Sequence, residues 1–293
     1  MSLPVITYTD SLNRVFNLMV NLDTGDTNSQ ENGGRIFSAA FHDFSWNRKT
    51  YEKRYGEQVL GFTKAAKEYA VTLLFWGSVN ERMVALDKFH SAIENDIMND
   101  TPGTLRWNDF AIKCFIVSSK TQPSQTIKGM TENEVTIYCP DPFWRKTVKK
   151  DFFIQDLPEQ DPNEVKVYPN EYPFNYLSKT VRQDVITNDS LNSSKWELII
   201  NGFADHPSIR IGKLEVTINV LVDSGEYLTI NNIEKTIILT NSLGRKINCF
   251  GYRDFSTYIF KDVEPGDNLV TWNGGYSWEL SLIEERSEPR WTS

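Results

Sequence analysis

The chain has 293 residues, with 31 basic against 39 acidic side chains, so it carries a formal charge of −8 with its histidines neutral. That sign argues against a nucleic-acid-binding protein, because neutralising phosphates needs a lysine and arginine surplus on at least one face. The length suits two domains with sizeable cores, and an aromatic content of 13%, with eight tryptophans, favours strands over helices.

No run reaches the ~20 apolar residues of a membrane-spanning helix; the longest charge-free stretch around an apolar run is Tyr69 to Val79, and no membrane insertion is expected. The start, Met1-Ser2-Leu3-Pro4-Val5, has neither the basic residues nor the apolar core of a secretory signal. Three cysteines, Cys114, Cys139 and Cys249, lack paired metal spacing and suit a reducing, cytosolic folding environment.

Along the chain, Asp23-Thr24-Gly25-Asp26-Thr27-Asn28 offers oxygen ligands, but Gly34 stands where a calcium loop needs its bidentate Glu, so an ordinary loop is expected. Ile36 to Phe44 alternates like a strand, with Phe37, Ala39, Phe41 and Asp43 on one face. Glu68 to Trp76 is apolar on both faces, as a strand covered on both sides would be. From Asn80 to Asn99, Met83, Leu86, Phe89, Ile93 and Ile97 stripe one side of a helix, capped by the Ser78 and Glu81 pair and stopped by Thr101-Pro102-Gly103. Leu105 to Trp107 and Phe110 to Val117 flank the turn pair Asn108-Asp109 and predict a hairpin, and Glu134 to Cys139 supplies a last strand. The first domain, residues 1–141, therefore reads as an α+β unit, a β-sheet domain with one helix. The prolines in Pro140, Asp141, Pro142, Phe143 and Trp144 deny ladder donors, which predicts a stiff domain hinge rather than more strand.

The second domain, residues 142–293, opens on a segment rich in Pro, Asn, Asp and Tyr, read as a loop or arm excursion near 156–192. Seven short strands follow: Trp196 to Ile200, Lys213 to Val222, Glu226 to Ile230, Lys235 to Thr240, Thr257 to Phe260, Asn268 to Trp272 and Ser277 to Ile283. Turn residues between them predict a β-sandwich or jelly roll, so the chain as a whole is mainly β.

Chemistry is sparse. His42, His90 and His206 stand in no nucleophile or zinc spacing, and the acidic candidates Asp87, Glu94, Glu284 and Glu285 read as solvated surface. No residue is singled out as catalytic, cofactor-binding or metal-ligating, and no enzyme is expected. The alternative reading is a carbohydrate-binding sandwich that stacks sugars on Trp272, Tyr276 or Trp278.

Domain order carries one further signal. The exit Pro140-Asp141-Pro142-Phe143-Trp144-Arg145, then Gly225-Glu226-Tyr227-Leu228-Thr229-Ile230, Lys235-Thr236-Ile237 and Gly266-Asp267-Asn268-Leu269-Val270-Thr271-Trp272-Asn273-Gly274, together resemble the distal tail proteins of long-tailed, non-contractile bacteriophages and prophages. The resemblance implies a structural protein of the virion tail tip, made and assembled in the bacterial host cytoplasm. It implies a homohexameric ring built by the first domain, a galectin-like second domain pointing outward, and a central channel for DNA with no sequence-specific grip on it. Its implied partners are further copies of itself, the tail tube protein, the tail-associated hub protein and, through the 156–192 excursion, a receptor-binding protein. The sequence departs from the family pattern early, with a polar Asp23 to Gly34 segment and Arg54-Tyr55-Gly56-Glu57. The strand-like stretch nearby supplies the candidate subunit interface: Ile36, Phe37, Phe41, Phe44 and Trp46, an edge able to pair with a neighbour's sheet.

Overall fold

The computed structural model describes residues 4–19, 34–123, 129–154 and 182–290, so the Asp23 to Asn28 loop lies outside the described residues. The chain divides into two compact units, Met1–Lys146 with Glu285–Ser293, and Thr147–Glu284. The return of the last residues gives the first unit a second, discontinuous segment. Its physical basis is an ion pair: Arg145 donates from Nε and Nη2 to Glu285 Oε1 at 2.9 and 2.7 Å, and from Nη2 to Asp141 Oδ2 at 2.6 Å.

The first unit comprises β1 (Ile6–Thr9), β2 (Val15–Met19), β3 (Arg35–Ala39), β4 (Asn47–Glu52), β5 (Glu57–Thr63), β6 (Lys67–Phe75), α1 (Val79–Met98), β7 (Gly103–Trp107), β8 (Phe110–Pro123) and β9 (Thr131–Cys139). The long β8 serves two layers, pairing β7 through its first half and β9 through its second. Its register shifts between Ile116 and Ser118, where the strand changes layer. On one side the order continues β7-β1-β2; on the other, β9-β6-β3. Helix α1 packs on β8 and β6, with Ala85, Leu86, Phe89, Ala92 and Ile93 buried, while Met83 and Ile97 at the ends of the expected stripe are exposed. The Ser78–Glu81 capping box is formed in both directions. Gly103 opens β7 rather than only stopping the helix, and a Cβ there would collide with the Tyr8 ring. On β6 the second face is covered only near its end, at Leu74, whereas Ala70 is exposed.

The second unit takes in β10 (Trp144–Phe152) from Thr147 on, β11 (Arg182–Asn188), β12 (Lys195–Asn201), β13 (Ala204–Asp205), β14 (Ser208–Ile211), β15 (Leu214–Thr217), β16 (Leu221–Val222), β17 (Tyr227–Asn231), β18 (Thr236–Thr240), β19 (Lys246–Asn248), β20 (Gly266–Trp272) and β21 (Trp278–Arg286) up to Glu284. One layer runs β19-β18-β17-β12-β21 and the other β11-β20-β14-β15, with β13 and β16 as a separate pair. Their inner faces share one core: Trp196, Leu198, Leu228, Ile230, Ile237 and Leu280 from the first layer meet Ile186, Ile209, Leu214, Val216, Val270 and Trp272 from the second. This is a β-sandwich.

Three sequence expectations change here. Strand resumes at Trp144, directly after Pro142 and Phe143, because the prolines precede the ladder and remove no bond from it. Of the 156–192 segment, only 182–192 is described, and there β11 pairs with β20 from Arg182–Trp272 to Asn188–Gly266. Thr257 to Phe260 is a turn rather than a strand, although Ile259 and Phe260 are buried.

Candidate functional site

One element of the first unit stands apart from its layers. Strands β4 and β5 pair only with each other among the described residues, joined by a turn in which Lys53 N donates to Gly56 O at 2.9 Å and Gly56 takes φ +76°. Neither strand has a buried face: Tyr51, Val59, Leu60 and Phe62 are all exposed, with Phe62 at 62% and Leu60 at 66%. Tyr55 at the tip is 84% exposed. A two-stranded hairpin is marginal in water by itself, and four large apolar side chains exposed on one such hairpin make it a candidate interaction surface.

The hairpin is fastened at its base. Lys64, the residue after β5, donates from Nζ to Pro142 O at 2.7 Å and to Ser287 O at 3.4 Å. The same ammonium lies 4.8 Å from the Phe143 ring centroid and 5.6 Å from that of Trp46. Burial, followed by the neighbouring Lys67, holds the Lys64 pKa below the ordinary lysine value against the pull of Asp141. Lys67 pairs with Asp43 at 3.2 Å. For Arg145, burial works against the charge, but the hydrogen bonds it donates to Glu285 and Asp141 outweigh it and raise its pKa.

The residues read from sequence thus come together in part. Phe37, Phe44 and Trp46 are exposed, and the Trp46 ring lies 6.0 Å from Phe143, joining the expected interface to the expected hinge. Ile36 and Phe41 are buried; Phe41 packs edge-on against Tyr69, Trp107 and Trp144 and so supports the surface from behind. Pro140 is exposed, Pro142 is buried, and Trp144 is fully buried with its Nε1 donating to Tyr69 OH at 3.3 Å. The expected strand Ile36 to Phe44 ends at Ala39, and its register partner is β6. Sequence reasoning missed the hairpin itself, whose only local sign was the Gly56 turn among charged residues.

The three rings considered for sugar stacking lie in the second unit's core, with Trp272 3%, Tyr276 1% and Trp278 1% exposed. Phe152 stacks on Trp278 at 3.9 Å and 5°, and Tyr276 OH exchanges hydrogen bonds with the Ser208 backbone at 2.9 and 3.0 Å. None offers a free face to a ligand. Among the described residues, no group of three or more His, Cys, Asp or Glu side chains is placed to hold a metal ion. His90 Nε2 lies within hydrogen-bond distance of Ser119 and Asn133, and the latter is fully buried.

No family model and no curated protein match the chain. Solved structures do. Over 96% of this chain and 99% of the other, it matches the crystal structure of the SPP1 Dit protein with a TM-score of 0.58 at 9% identity. The fold is that of a phage hub protein. The SPP1 protein is described as a paradigm of the hub adsorption apparatus in phages infecting Gram-positive bacteria. The phage P2 baseplate in its activated conformation with calcium matches with a TM-score of 0.57, and the strontium form with 0.55, each at 12% identity and over 98% of this chain and 100% of that chain. At such identity the likeness is one of fold, and residue roles rest on this chain's own geometry.

Proposed function

We propose that the chain is a structural, non-enzymatic component of a phage tail tip, six copies of which close into a ring that joins the tail tube to the hub and adhesion apparatus around a DNA channel. The observation that carries this reading is the β4–β5 hairpin, whose large apolar side chains Tyr51, Val59, Leu60 and Phe62 the described residues of its own chain leave uncovered. Ring closure needs a heterologous contact, in which one patch meets a different patch on the next copy. A projecting hairpin on a fastened base is such a patch, and the exposed Phe37, Phe44 and Trp46 are further candidates for the contact. The likeness of fold to phage hub and baseplate proteins supports the same role. In this reading the tail tube protein and the tail-associated hub protein bind the two sides of the ring, the 156–192 segment meets a receptor-binding protein, and the chain resides at the virion tail tip.

The test is the solution mass of the purified chain beside a Leu60→Asp, Phe62→Asp variant. The wild type is expected at six times the 33.8 kDa chain mass, alone or once its tail-tube and hub partners are added. The variant, altered only at exposed positions, is expected as a folded monomer. Equal assembly of both proteins would remove the hairpin from the interface.

A further inference from the structure

The second unit carries a groove of about 230 Å³ lined by Lys235, Thr236, Ile238, Lys246, Asn248 and Phe250. On β18 the intervening residues Ile237 and Leu239 are buried, so Thr236 and Ile238 are the alternate, outward set. Asn248 and Lys246 of the neighbouring strand stand opposite Ile238 and Thr240.

Its polar groups are those of an anion site with no anion supplied from within. Lys235 holds φ +57°, a conformation uncommon outside glycine. Its Nζ donates to Asn232 Oδ1 at 3.1 Å and to Phe260 O at 3.3 Å and lies 5.3 Å from the Phe260 ring centroid. Asp262, the acid whose field reaches it, is paired with Lys195 at 3.0 Å. Lys246 is exposed and makes no ion pair among the described residues. Asn248 Oδ1 accepts from Phe250 N at 2.9 Å, which leaves both Nδ2 hydrogens for a ligand. No carboxylate lines the groove, although the chain as a whole is at −8.

We propose that this groove binds an anionic saccharide. The phosphate or carboxylate sits between Lys235 and Lys246, hydroxyls bond to Thr236 and Asn248, and the apolar side of the sugar ring rests on Ile238 at the groove wall. Charge sign selects an anion, and the Thr236 hydroxyl and Asn248 amide select one that carries hydroxyl groups. The groove is smaller than the roughly 300–1,000 Å³ pockets that enclose drug-sized apolar ligands. Neighbouring rings extend the surface: Tyr252, Phe255 and Tyr258 are exposed, and Arg253 lies 4.0 and 4.3 Å from the Phe250 and Phe255 centroids. The site does not depend on ring assembly.

Titration calorimetry of the full chain tests this with four probes: a phosphorylated oligosaccharide, a uronic-acid oligosaccharide, a neutral oligosaccharide of equal length and inorganic phosphate. The two anionic saccharides are expected to bind and the other two to bind much more weakly. Lys246→Glu is expected to weaken the anionic saccharides by about tenfold and Asn248→Ala by about threefold. Lys213→Glu, the same charge change in the exposed turn between β14 and β15, is expected to change affinity by less than about twofold. The proposal is overturned if no saccharide binds, if the neutral oligosaccharide or phosphate alone binds as tightly, or if Lys213→Glu weakens binding as much as Lys246→Glu.

Discussion

At the scale of single residues, the aromatic side chains of the second unit hold the sandwich together. Trp278 is stacked on Phe152 and meets Trp272 edge-on at 5.8 Å, and all three are buried. Trp278→Ala is expected to lower the unfolding free energy by about 3–5 kcal/mol, read as an earlier denaturant midpoint; an unchanged midpoint would place the ring outside the core. Burial of Trp278 was legible in the sequence, because it alternates with Leu280 and Leu282 on one strand face. Burial of Trp272 was not, because the adjoining Asn273-Gly274-Gly275 turn suggests a solvent-facing tip.

Buried phenols also set the response to alkali. Burial raises the pKa of Tyr8, Tyr69 and Tyr276, and for Tyr8 the hydrogen bond to Asp96 at 2.5 Å adds to it. A folded pKa above the unfolded value means that the unfolded chain loses these protons first. Their stabilisation is complete below about pH 10 and falls as pH rises above it, by up to about 1.4 kcal/mol per pH unit for each tyrosine. Tyr276→Phe is expected to flatten that alkaline slope in urea titrations run between pH 9 and 11. A slope identical to the wild type would show that the phenol ionises freely in the folded chain.

At the scale of elements, the helix and the β7–β8 hairpin were legible because each has a strong local signal: a 3.6-residue stripe with a formed capping box, and a turn pair in which Asn108 takes φ +51°. The β4–β5 hairpin was not. Its apolar residues Tyr51, Val59, Leu60 and Phe62 are scattered among charges without period-two alternation, since the described residues of the chain bury neither of its faces. Strand β11 was hidden for a related reason: among its described side chains Ile186 and Asn188 are the buried ones, so its sequence reads as polar loop. The candidate site was therefore legible at its margins, in Phe37, Phe44, Trp46 and Phe143, and not at its centre.

Two outcomes follow for the hairpin. Leu60→Asp with Phe62→Asp is expected to shift the stability of the isolated chain by no more than about 0.5 kcal/mol per site, the range for exposed substitutions, so a collapse of the melting transition would mean that the ribbon packs on its own chain. Lys64→Met removes both carbonyl contacts at the base. It is expected to speed hydrogen exchange in β4 and β5 while leaving β6, β8 and β9 protected. Uniform acceleration across all five strands would make Lys64 a general stability residue instead of a fastening for the hairpin.

At the scale of the whole molecule, charge and shape pull in different directions. Each copy carries −8, so the proposed ring of six would meet like-charge repulsion that burial of the hairpin's apolar side chains must exceed. Salt screens that repulsion over a Debye length of about 8 Å at physiological strength and leaves apolar burial intact, so assembly is expected to strengthen from low to moderate ionic strength. In the proposed ring, the same surplus of acid suits a passage that DNA would cross without being held, since phosphate binding needs clustered cations.

End-on electron micrographs of the assembled wild-type particle, classified without imposed symmetry, address the central claim most directly. The account predicts closed rings with six-fold symmetry and an open centre that vanish in the Leu60→Asp, Phe62→Asp protein. Single copies in every class, even at high concentration and with the tail-tube and hub proteins present, would contradict it.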